Sequence, residues 1–212
     1  MNDHLLNLLH CSVDLNRSDL KYDKAFTEES LKEDWSVKSG YWKTEDGKLF
    51  GESDSSGGGM IFSKAEYPHD LVMEFTASLA EPSTHDLDFM WHATWDEEKR
   101  IRNAGYVVGI NGWWEQKVGF EKAPENRLYA ATPLFEAKPN KEYKIIAGTV
   151  EGLCFLFING GLIMEMRDPD PIDFTKHPFV GFETYQSRIM VWGLKIWKPY
   201  VVKRELKYTD EF

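Results

Sequence analysis

Apolar and polar residues alternate along much of the chain, and this pattern predicts β-strands. The clearest example is segment 86–95, DLDFMWHATW. Side chains point alternately to the two faces of a sheet, so a strand here has one apolar face and one largely polar face. The apolar face can pack in a core, and the other can hold a polar ligand. The first face carries Leu87, Phe89, Trp91, Ala93 and Trp95, and the second carries Asp86, Asp88, Met90, His92 and Thr94.

Similar short strands recur over residues 41–199 and are separated by turn signals. The segment 27–35, TEESLKEDW, predicts a single helical turn before the first sheet strand, with Thr27 at its start. The residue types at the turns accept the positive φ angles that tight hairpins need. These turns are Asp46-Gly47, Asn111-Gly112, Glu151-Gly152 and Asn159-Gly160. We therefore predict an all-β fold, an antiparallel two-sheet β-sandwich.

The length of 212 residues fits one sizeable sandwich domain. We predict an N-terminal extension over residues 1–25, the sandwich domain over 26–200 and a C-terminal tail over 201–212. Within the extension, Leu5, Leu8 and Leu9 fit either a short helix or an edge strand, and the sequence does not decide between them.

The chain is acidic, with a net charge of -10 and a pI near 5.1. This charge disfavours binding to nucleic acid or to an anionic membrane, so a neutral ligand fits better. No apolar run approaches the about 18 residues that span a bilayer, and the N-terminal sequence lacks the pattern of a secretory signal. Cys11 and Cys154 make no disulfide framework. We expect a cytoplasmic protein with reduced cysteines and no nucleic-acid or membrane partner.

Five strand motifs, in their order along the chain, carry a family resemblance. They contain GYWKTEDGKLFG, GMIF, DLVMEF, CFLFINGGLI and a closing VGFE…VWGLKIW, and lie within residues 35–197. This order resembles the concanavalin A-like lectin/glucanase jelly rolls over residues 26–199. Within that superfamily the chain is most similar to YesU-like proteins and to 3-keto-glycoside hydrolase/lyase domains, which are associated with the breakdown of plant polysaccharides and glycosides in bacteria.

The resemblance implies a concave sheet whose outward residues form a ligand groove. It also shows one departure from the laminarinase-type members, which carry E-x-D-x-x-E on one strand. Here Glu52 and Asp54 begin that pattern, but Gly57 stands in place of the second glutamate. The departure argues against a glucanase of that type.

Asp88, Glu121 and Glu183 are the candidate catalytic carboxylates. Opposite residues on neighbouring strands lie about 5 Å apart, and retaining glycosidases use carboxyl pairs about 5 to 5.5 Å apart. We expect Glu121 or Glu183 to protonate the leaving oxygen and Asp88 to act as base or nucleophile, with His92 as an assisting acid or base. The alternatives are an exposed ion pair between Glu121 and Lys122, and a purely structural role for His92.

Aromatic and polar residues near these acids are candidate sugar contacts. An aromatic ring stacks on the C–H face of a pyranose, while charged groups take its hydroxyls. The residues predicted to bind substrate are Trp113, Trp114, Arg102, Asn103, Lys122 and Tyr185. Since Trp113 and Trp114 are adjacent, at most one of them faces the groove. Four other tryptophans are expected to pack between the sheets: Trp91, Trp95, Trp192 and Trp197.

No cofactor is certain, and a divalent metal, Ca or Mn, is kept as an alternative. Segment 168–173, DPDPID, holds three acids that could ligate calcium, although its prolines and missing glycine depart from an EF-hand loop. Together these features predict a carbohydrate-active protein that binds, and cleaves by hydrolysis or elimination, a plant-derived oligosaccharide or glycoside. A non-catalytic carbohydrate-binding module and a partner-docking subunit are the alternatives, and a homo-oligomer is compatible with either.

Overall fold

The computed structural model describes residues 4–54, 57–112 and 117–204, and within them the chain is almost entirely β-strand. The elements in chain order are β1 (Leu5–Asn7), β2 (Cys11–Asp14), β3 (Asp19–Asp23), α1 (Glu28–Asp34), β4 (Trp35–Ser39), β5 (Tyr41–Glu45), β6 (Lys48–Glu52), β7 (Gly58–Ser63), β8 (Leu71–Leu79), β9 (Leu87–Asp96), β10 (Ile101–Ile110), β11 (Val118–Ala123), β12 (Arg127–Thr132), β13 (Tyr143–Val150), β14 (Leu153–Ile158), β15 (Gly161–Arg167), β16 (Phe179–Tyr185), β17 (Arg188–Lys198) and β18 (Val201–Lys203).

Two large antiparallel sheets form a sandwich, as the alternating pattern predicts. The seven-stranded sheet has the order β12-β11-β10-β9-β16-β7-β4. The eight-stranded sheet has the order β15-β14-β13-β8-β17-β6-β5, with β3 paired to β17. Some neighbours, such as β9 and β16 or β8 and β17, are distant in sequence, so the sheets bring together side chains from separate parts of the domain. The predicted all-β sandwich is confirmed.

The main core lies between the inner faces of these two sheets. The Phe75 ring of β8 packs against Phe89 and Phe182 of the facing sheet, with ring centroids 5.0 and 5.3 Å apart. The Trp91 indole N–H donates to the Thr149 hydroxyl over 2.7 Å, which satisfies a polar group inside the core. Leu87, Phe89 and Trp91 therefore face inward, and Asp88 and Met90 between them face out from the sandwich.

A third sheet of three strands, in the order β1-β2-β18, covers the other side of the eight-stranded sheet. Val13 of β2 is fully buried and packs in one cluster with Val72 of β8 and Phe155 of β14. The sequence leaves Leu5 open between a short helix and an edge strand. In the structure Leu5 lies in strand β1, which pairs with β2. Strand β2 of the N-terminal extension pairs with β18, residues 201–203, which belong to the predicted C-terminal tail.

The predicted helical turn and hairpin turns are present. Thr27 caps α1, because its hydroxyl accepts from the Ser30 N–H at 3.1 Å while the Ser30 hydroxyl accepts from the Thr27 N–H at 2.8 Å. Positive φ angles occur at the turn residues Asp46, Asn111, Glu151 and Asn159. Among the described residues, no helix is long and apolar enough to cross a membrane.

Candidate functional site

The face of the seven-stranded sheet that points away from the core carries a cavity of about 800 Å³. Its floor and walls come from β7, β9, β10, β11 and β16 and from the loops beside them. We call it the carboxylate cavity, because four acids line it together with one buried arginine. The residues that define it are Asp86, Asp88, Arg102, Glu121, Glu183 and the rim residue Tyr185.

Strand register brings the three predicted carboxylates together. Glu183 of β16 lies directly opposite Asp88 of β9, and Asp88 in turn lies opposite Gly109 of β10. Glu121 of β11 lies opposite Val107, two residues along β10 from Gly109. Because side chains alternate along a strand, these acids leave the sheet on the same face while Phe89, Phe120 and Phe182 enter the core.

Arg102 contacts two of these acids. Its guanidinium donates to Glu183 Oε2 and, over 2.9 Å, to Asn126 Oδ1. The same group lies 3.9 Å from Glu121 Oε2. The Arg102 side chain is only 7% exposed and lines the cavity, and the sequence predicts it as a substrate contact.

Gly105 lies in an irregular part of β10 close to Arg102. The register between β9 and β10 shifts on both sides of Ala104, and Gly105 has a φ of 152°. A Cβ at Gly105 would lie 2.9 Å from Ala93 Cβ and 3.5 Å from Arg102 Cδ. The close approach to Ala93 and the positive φ therefore favour glycine at this position, close to Arg102.

Asp86, a residue absent from the predicted site, is the fourth acid. It precedes β9 in a left-handed conformation with φ of 54°, and its carbonyl accepts from the Ser187 hydroxyl at 2.7 Å. Burial, followed by the charges of Glu183 and Glu121, raises the pKa of Asp86 to about 7. The alternating pattern of segment 86–95 places Asp86 on the same face as Asp88, and this was the available signal.

Asp88 is buried, and its burial strongly affects its pKa. Burial raises the pKa of Asp88 well above its usual range, and Asp86, Glu183 and Glu121 raise it further, while Arg102 acts in the opposite direction. Asp88 Oδ1 is buried and has no hydrogen-bond partner among the described residues. A protonated Asp88 at neutral pH can donate a hydrogen bond to a ligand in the cavity.

The arrangement combines donors and acceptors within one cavity. Protonated Asp86 and Asp88 supply O–H donors, and the guanidinium of Arg102 supplies N–H donors. Glu183, held by its ion pair with Arg102, supplies carboxylate oxygens as acceptors. Such a set can hydrogen-bond a ligand rich in hydroxyl groups, and it places a neutral acid beside a paired carboxylate.

His92 does not reach this cavity, so the expectation that it shares a face with Asp88 is wrong. It sits at the irregularity between β9 and β10 with φ of 47°. Its Nε2 lies 3.2 Å from the His69 carbonyl oxygen, and its ring packs against Tyr106 and Phe174. Burial lowers the pKa of His92 to about 4. The irregularity interrupts the alternation of β9, which is why the simple strand pattern fails there.

Lys122 and Asn103 also lie away from the cavity. Lys122 follows Glu121 and points to the opposite side of β11, where its ammonium donates to Asp168 Oδ2 at 2.8 Å. Asp168 also accepts from the Tyr106 hydroxyl at 2.7 Å. Asn103 is exposed on β10 and does not line the cavity. The predicted exposed ion pair between Glu121 and Lys122 is therefore not formed.

The acids of segment 168–173 interact with protein donors. Asp168 Oδ1 accepts from the Asp170 N–H at 2.9 Å, and Asp173 Oδ1 accepts from Thr175. Among the residues that the structure describes, no group of three or more His, Cys, Asp or Glu side chains is placed to hold a metal ion.

The aromatic residues divide between core, cavity and other surfaces. Tyr185 is 49% exposed at the cavity rim, where the sequence places it. Trp91 is in the core as expected, but Trp95 lines the cavity instead, because the irregularity in β9 turns it to the outer face. Trp113 and Trp114, both predicted to bind substrate, lie outside the described part of the chain. Two other tryptophans lie away from the main core: Trp192 lies under Lys48, and Trp197 packs toward the third sheet.

The fold is that of a galectin-like jelly roll. The chain matches no protein-family model and no curated protein. Its structure is similar to that of a Bacillus subtilis protein of unknown function with a galectin-like fold, with a TM-score of 0.66 at 14% identity over 87% of this chain and 97% of that chain.

Two further solved structures add to this comparison. One is the carbohydrate-binding module CBM66 from Bacillus subtilis, with a TM-score of 0.63 at 15% identity over 77% of this chain and 94% of that chain. The other is described as a candidate glycosyl hydrolase from Parabacteroides distasonis, with a TM-score of 0.53 at 15% identity over 84% of this chain and 99% of that chain. At these identities the likeness shows a shared fold.

Proposed function

We propose that the protein binds a carbohydrate, a plant-derived oligosaccharide or glycoside, in the carboxylate cavity. The observation that carries this proposal is the position of Arg102 among four acids in a cavity of about 800 Å³. Cavities of about 300 to 1,000 Å³ with a few convergent polar groups are typical of small-molecule sites. The fold shared with a carbohydrate-binding module supports the same ligand class.

The cavity residues have complementary roles toward a sugar. Glu183 and Glu121 accept hydrogen bonds from sugar hydroxyls, and Asp88 in its neutral form donates one. Tyr185 at the rim offers a ring on which the C–H face of a pyranose stacks. Arg102 holds Glu183 in position and lowers the cost of keeping two glutamates in one cavity.

A second candidate function, cleavage of the bound glycoside, rests on the pairing of Asp88 with Glu183. These two acids lie opposite each other, and their surroundings favour different protonation states. Neutral Asp88 is suited to protonate the leaving oxygen, and Glu183 to act as base or nucleophile. This assignment reverses the roles expected from the sequence for these two residues.

The finer resemblance to YesU-like proteins and 3-keto-glycoside hydrolases points to a particular substrate. In a 3-keto-glycoside the ketone at C3 acidifies the proton at C2. Glu183 would take this proton, the C1–C2 double bond would form, and the group at C1 would leave with a proton from Asp88. Elimination and hydrolysis thus use the same two residues.

A proton NMR time course tests binding and cleavage together. The protein is mixed with a panel of plant oligosaccharides, aryl glycosides and their 3-keto forms, with and without divalent metal. Line broadening of a ligand supports binding, and new anomeric or enone signals support cleavage. Spectra unchanged throughout the panel would overturn the proposal.

Matched variants locate the site. Glu183→Gln removes the carboxylate beside Arg102, so it should abolish both line broadening and product formation. Glu136→Gln is the control, because Glu136 lies in an exposed ion pair with Lys138 away from the cavity. Equal behaviour of the two variants would show that the ligand binds elsewhere.

A further inference from the structure

A second cavity, of about 300 Å³, lies on the same outer face of the seven-stranded sheet. It is formed between β4, β7, β9 and β16, whereas the carboxylate cavity extends to β10 and β11. We call it the apolar cavity, because Phe62, Trp95 and Phe179 supply its aromatic lining.

Trp95 belongs to the walls of both cavities. Its ring packs against Phe62, with centroids 6.1 Å apart. Phe62, Met90 and Val107 form one buried apolar cluster, and Val107 also lines the carboxylate cavity. The two cavities therefore adjoin over a continuous apolar floor, with Trp95 between them.

The polar groups beside the apolar cavity already interact with other protein groups. The Lys38 ammonium pairs with Glu97 at 2.5 Å, and the Lys64 ammonium donates to the Lys32 carbonyl at 2.5 Å. The Thr94 hydroxyl lies 2.8 Å from His177 Nδ1. These polar groups line the cavity but are already engaged, so the aromatic rings of Phe62, Trp95 and Phe179 are the main surface offered to a ligand.

Trp95 lies beside the ion pair of Lys38 with Glu97. The pKa of Glu97 is lowered chiefly by a hydrogen bond with Lys38, and a hydrogen bond with Trp95 contributes to this. Lys38 belongs to β4, the edge strand of the seven-stranded sheet. Glu97 directly follows β9, the central strand of that sheet. The ion pair of Lys38 with Glu97 thus spans from the edge strand to the loop after β9, beside Trp95.

We propose that the apolar cavity binds the aromatic aglycone of a glycoside whose sugar occupies the carboxylate cavity. This inference rests on the proposed carbohydrate site and narrows its ligand from oligosaccharides to aryl glycosides. A second sugar unit can stack one C–H face on the aromatic lining, but its remaining hydroxyls would meet side chains that are already paired, such as Lys38 and Lys64, and would lose hydrogen bonds there. A planar aromatic ring buries apolar area there without such a loss.

Paired ligands test the proposal in the wild-type protein. Methyl and 4-nitrophenyl glycosides of the same sugar are compared by titration calorimetry, for each sugar that binds. The 4-nitrophenyl form should bind at least about tenfold more tightly, as expected for burial of one aromatic ring. Saturation-transfer NMR should show strong transfer to the aryl protons as well as to the sugar protons.

A cavity-filling variant separates the two cavities. Ser36 lines the apolar cavity from β4, so Ser36→Trp should remove the aryl preference and the aryl saturation transfer while methyl glycoside binding persists. Val37→Trp is the matched control, since Val37 is the next residue on the same strand, is exposed and does not line the cavity. Phe179→Ala, which removes one aromatic wall, should weaken only the aryl glycoside.

The outcomes distinguish the two proposals. Equal affinity of methyl and 4-nitrophenyl glycosides, or an aryl preference that survives Ser36→Trp in a protein with unchanged thermal unfolding, would overturn the aglycone site and leave the sugar site standing. Failure of every glycoside to bind the wild-type protein would overturn the sugar site itself, and the aglycone site with it.

Discussion

Asp88 and Glu183 lie directly opposite each other on neighbouring strands, yet only Glu183 receives the guanidinium of Arg102 as an ion-pair partner. Burial and neighbouring acids instead favour the neutral form of Asp88. The two carboxyl groups therefore have different surroundings within one cavity: Glu183 is paired with a guanidinium, and Asp88 is buried among other acids. The consequences for stability and binding can be measured separately.

The raised pKa values of Asp86 and Asp88 predict that the protein loses stability as pH rises. An unfolded aspartate has a pKa of about 3.9, whereas the folded state keeps the proton of Asp86 up to about pH 7. Over this window the folded state binds more protons than the unfolded state, so the free energy of unfolding falls with increasing pH. Urea denaturation at several pH values checks this decline.

Asp88→Asn should reduce the same decline, because asparagine keeps the shape of the side chain without an ionisable proton. The variant should gain stability relative to wild type as pH rises from about 4 to 8. Asp46→Asn, in an exposed turn, serves as control and should follow the wild-type curve. If the free energy of unfolding of Asp88→Asn falls with pH as steeply as that of wild type, the raised pKa of Asp88 is contradicted.

Arg102→Met should destabilise the protein by about 3 to 5 kcal/mol at neutral pH, since it leaves buried carboxylates without their countercharge. The loss should shrink toward acid pH, where protonated carboxyl groups need no cation. Arg188→Met is the control: its partner is Glu52, both side chains are more than a third exposed, and the expected loss is about 0 to 1 kcal/mol. Equal losses in denaturant unfolding would rule out a special role for Arg102.

Tyr185→Ala should lower affinity for a bound sugar about tenfold and leave stability unchanged, because an exposed stacking ring is removed. Tyr41→Ala removes a ring that is 58% exposed and does not line the cavity, so it should bind like wild type. Calorimetric titration with one confirmed ligand compares the three proteins. Undiminished affinity of Tyr185→Ala would exclude stacking at the rim.

Gly105→Ala should cost about 1 to 3 kcal/mol and weaken ligand binding, because the new methyl group would clash with Ala93 Cβ and shift β10 next to Arg102, in a backbone conformation that alanine disfavours. Gly161→Ala is the matched control, since its Cβ would make only an ordinary contact with the Ile158 carbonyl. Thermal unfolding and ligand titration provide the two readouts. Normal binding by a folded Gly105→Ala protein would show that Arg102 does not depend on this glycine.

Strand alternation is enough to place Asp88, Glu121 and Glu183 on one face, because each is adjacent to an aromatic residue that enters the core. It also explains why Lys122 cannot join Glu121 in the cavity. The fold class follows from the same periodicity, reinforced by glycine-containing turns such as Asp46-Gly47.

The sequence does not reveal where the alternation is interrupted. The irregularity near His92 and Gly105 turns His92 away from the cavity and brings Trp95 into it, and a glycine in a strand is only a weak sign of such a feature. The ion pair of Arg102 with Glu183 joins residues 81 positions apart. Such a contact depends on the register of strands that are distant along the chain, which periodicity within one strand cannot supply.

The pairing of β2 with β18 has a consequence for the order of folding. It joins Val13 to Val201, among the most widely separated contacts of the described chain, and closing so long a loop is entropically slow. The sandwich should form first, leaving Val72 and Phe155 in contact with water until the third sheet covers them. During that interval the face opposite the carboxylate cavity is an aggregation-prone surface, which makes refolding yield sensitive to protein concentration.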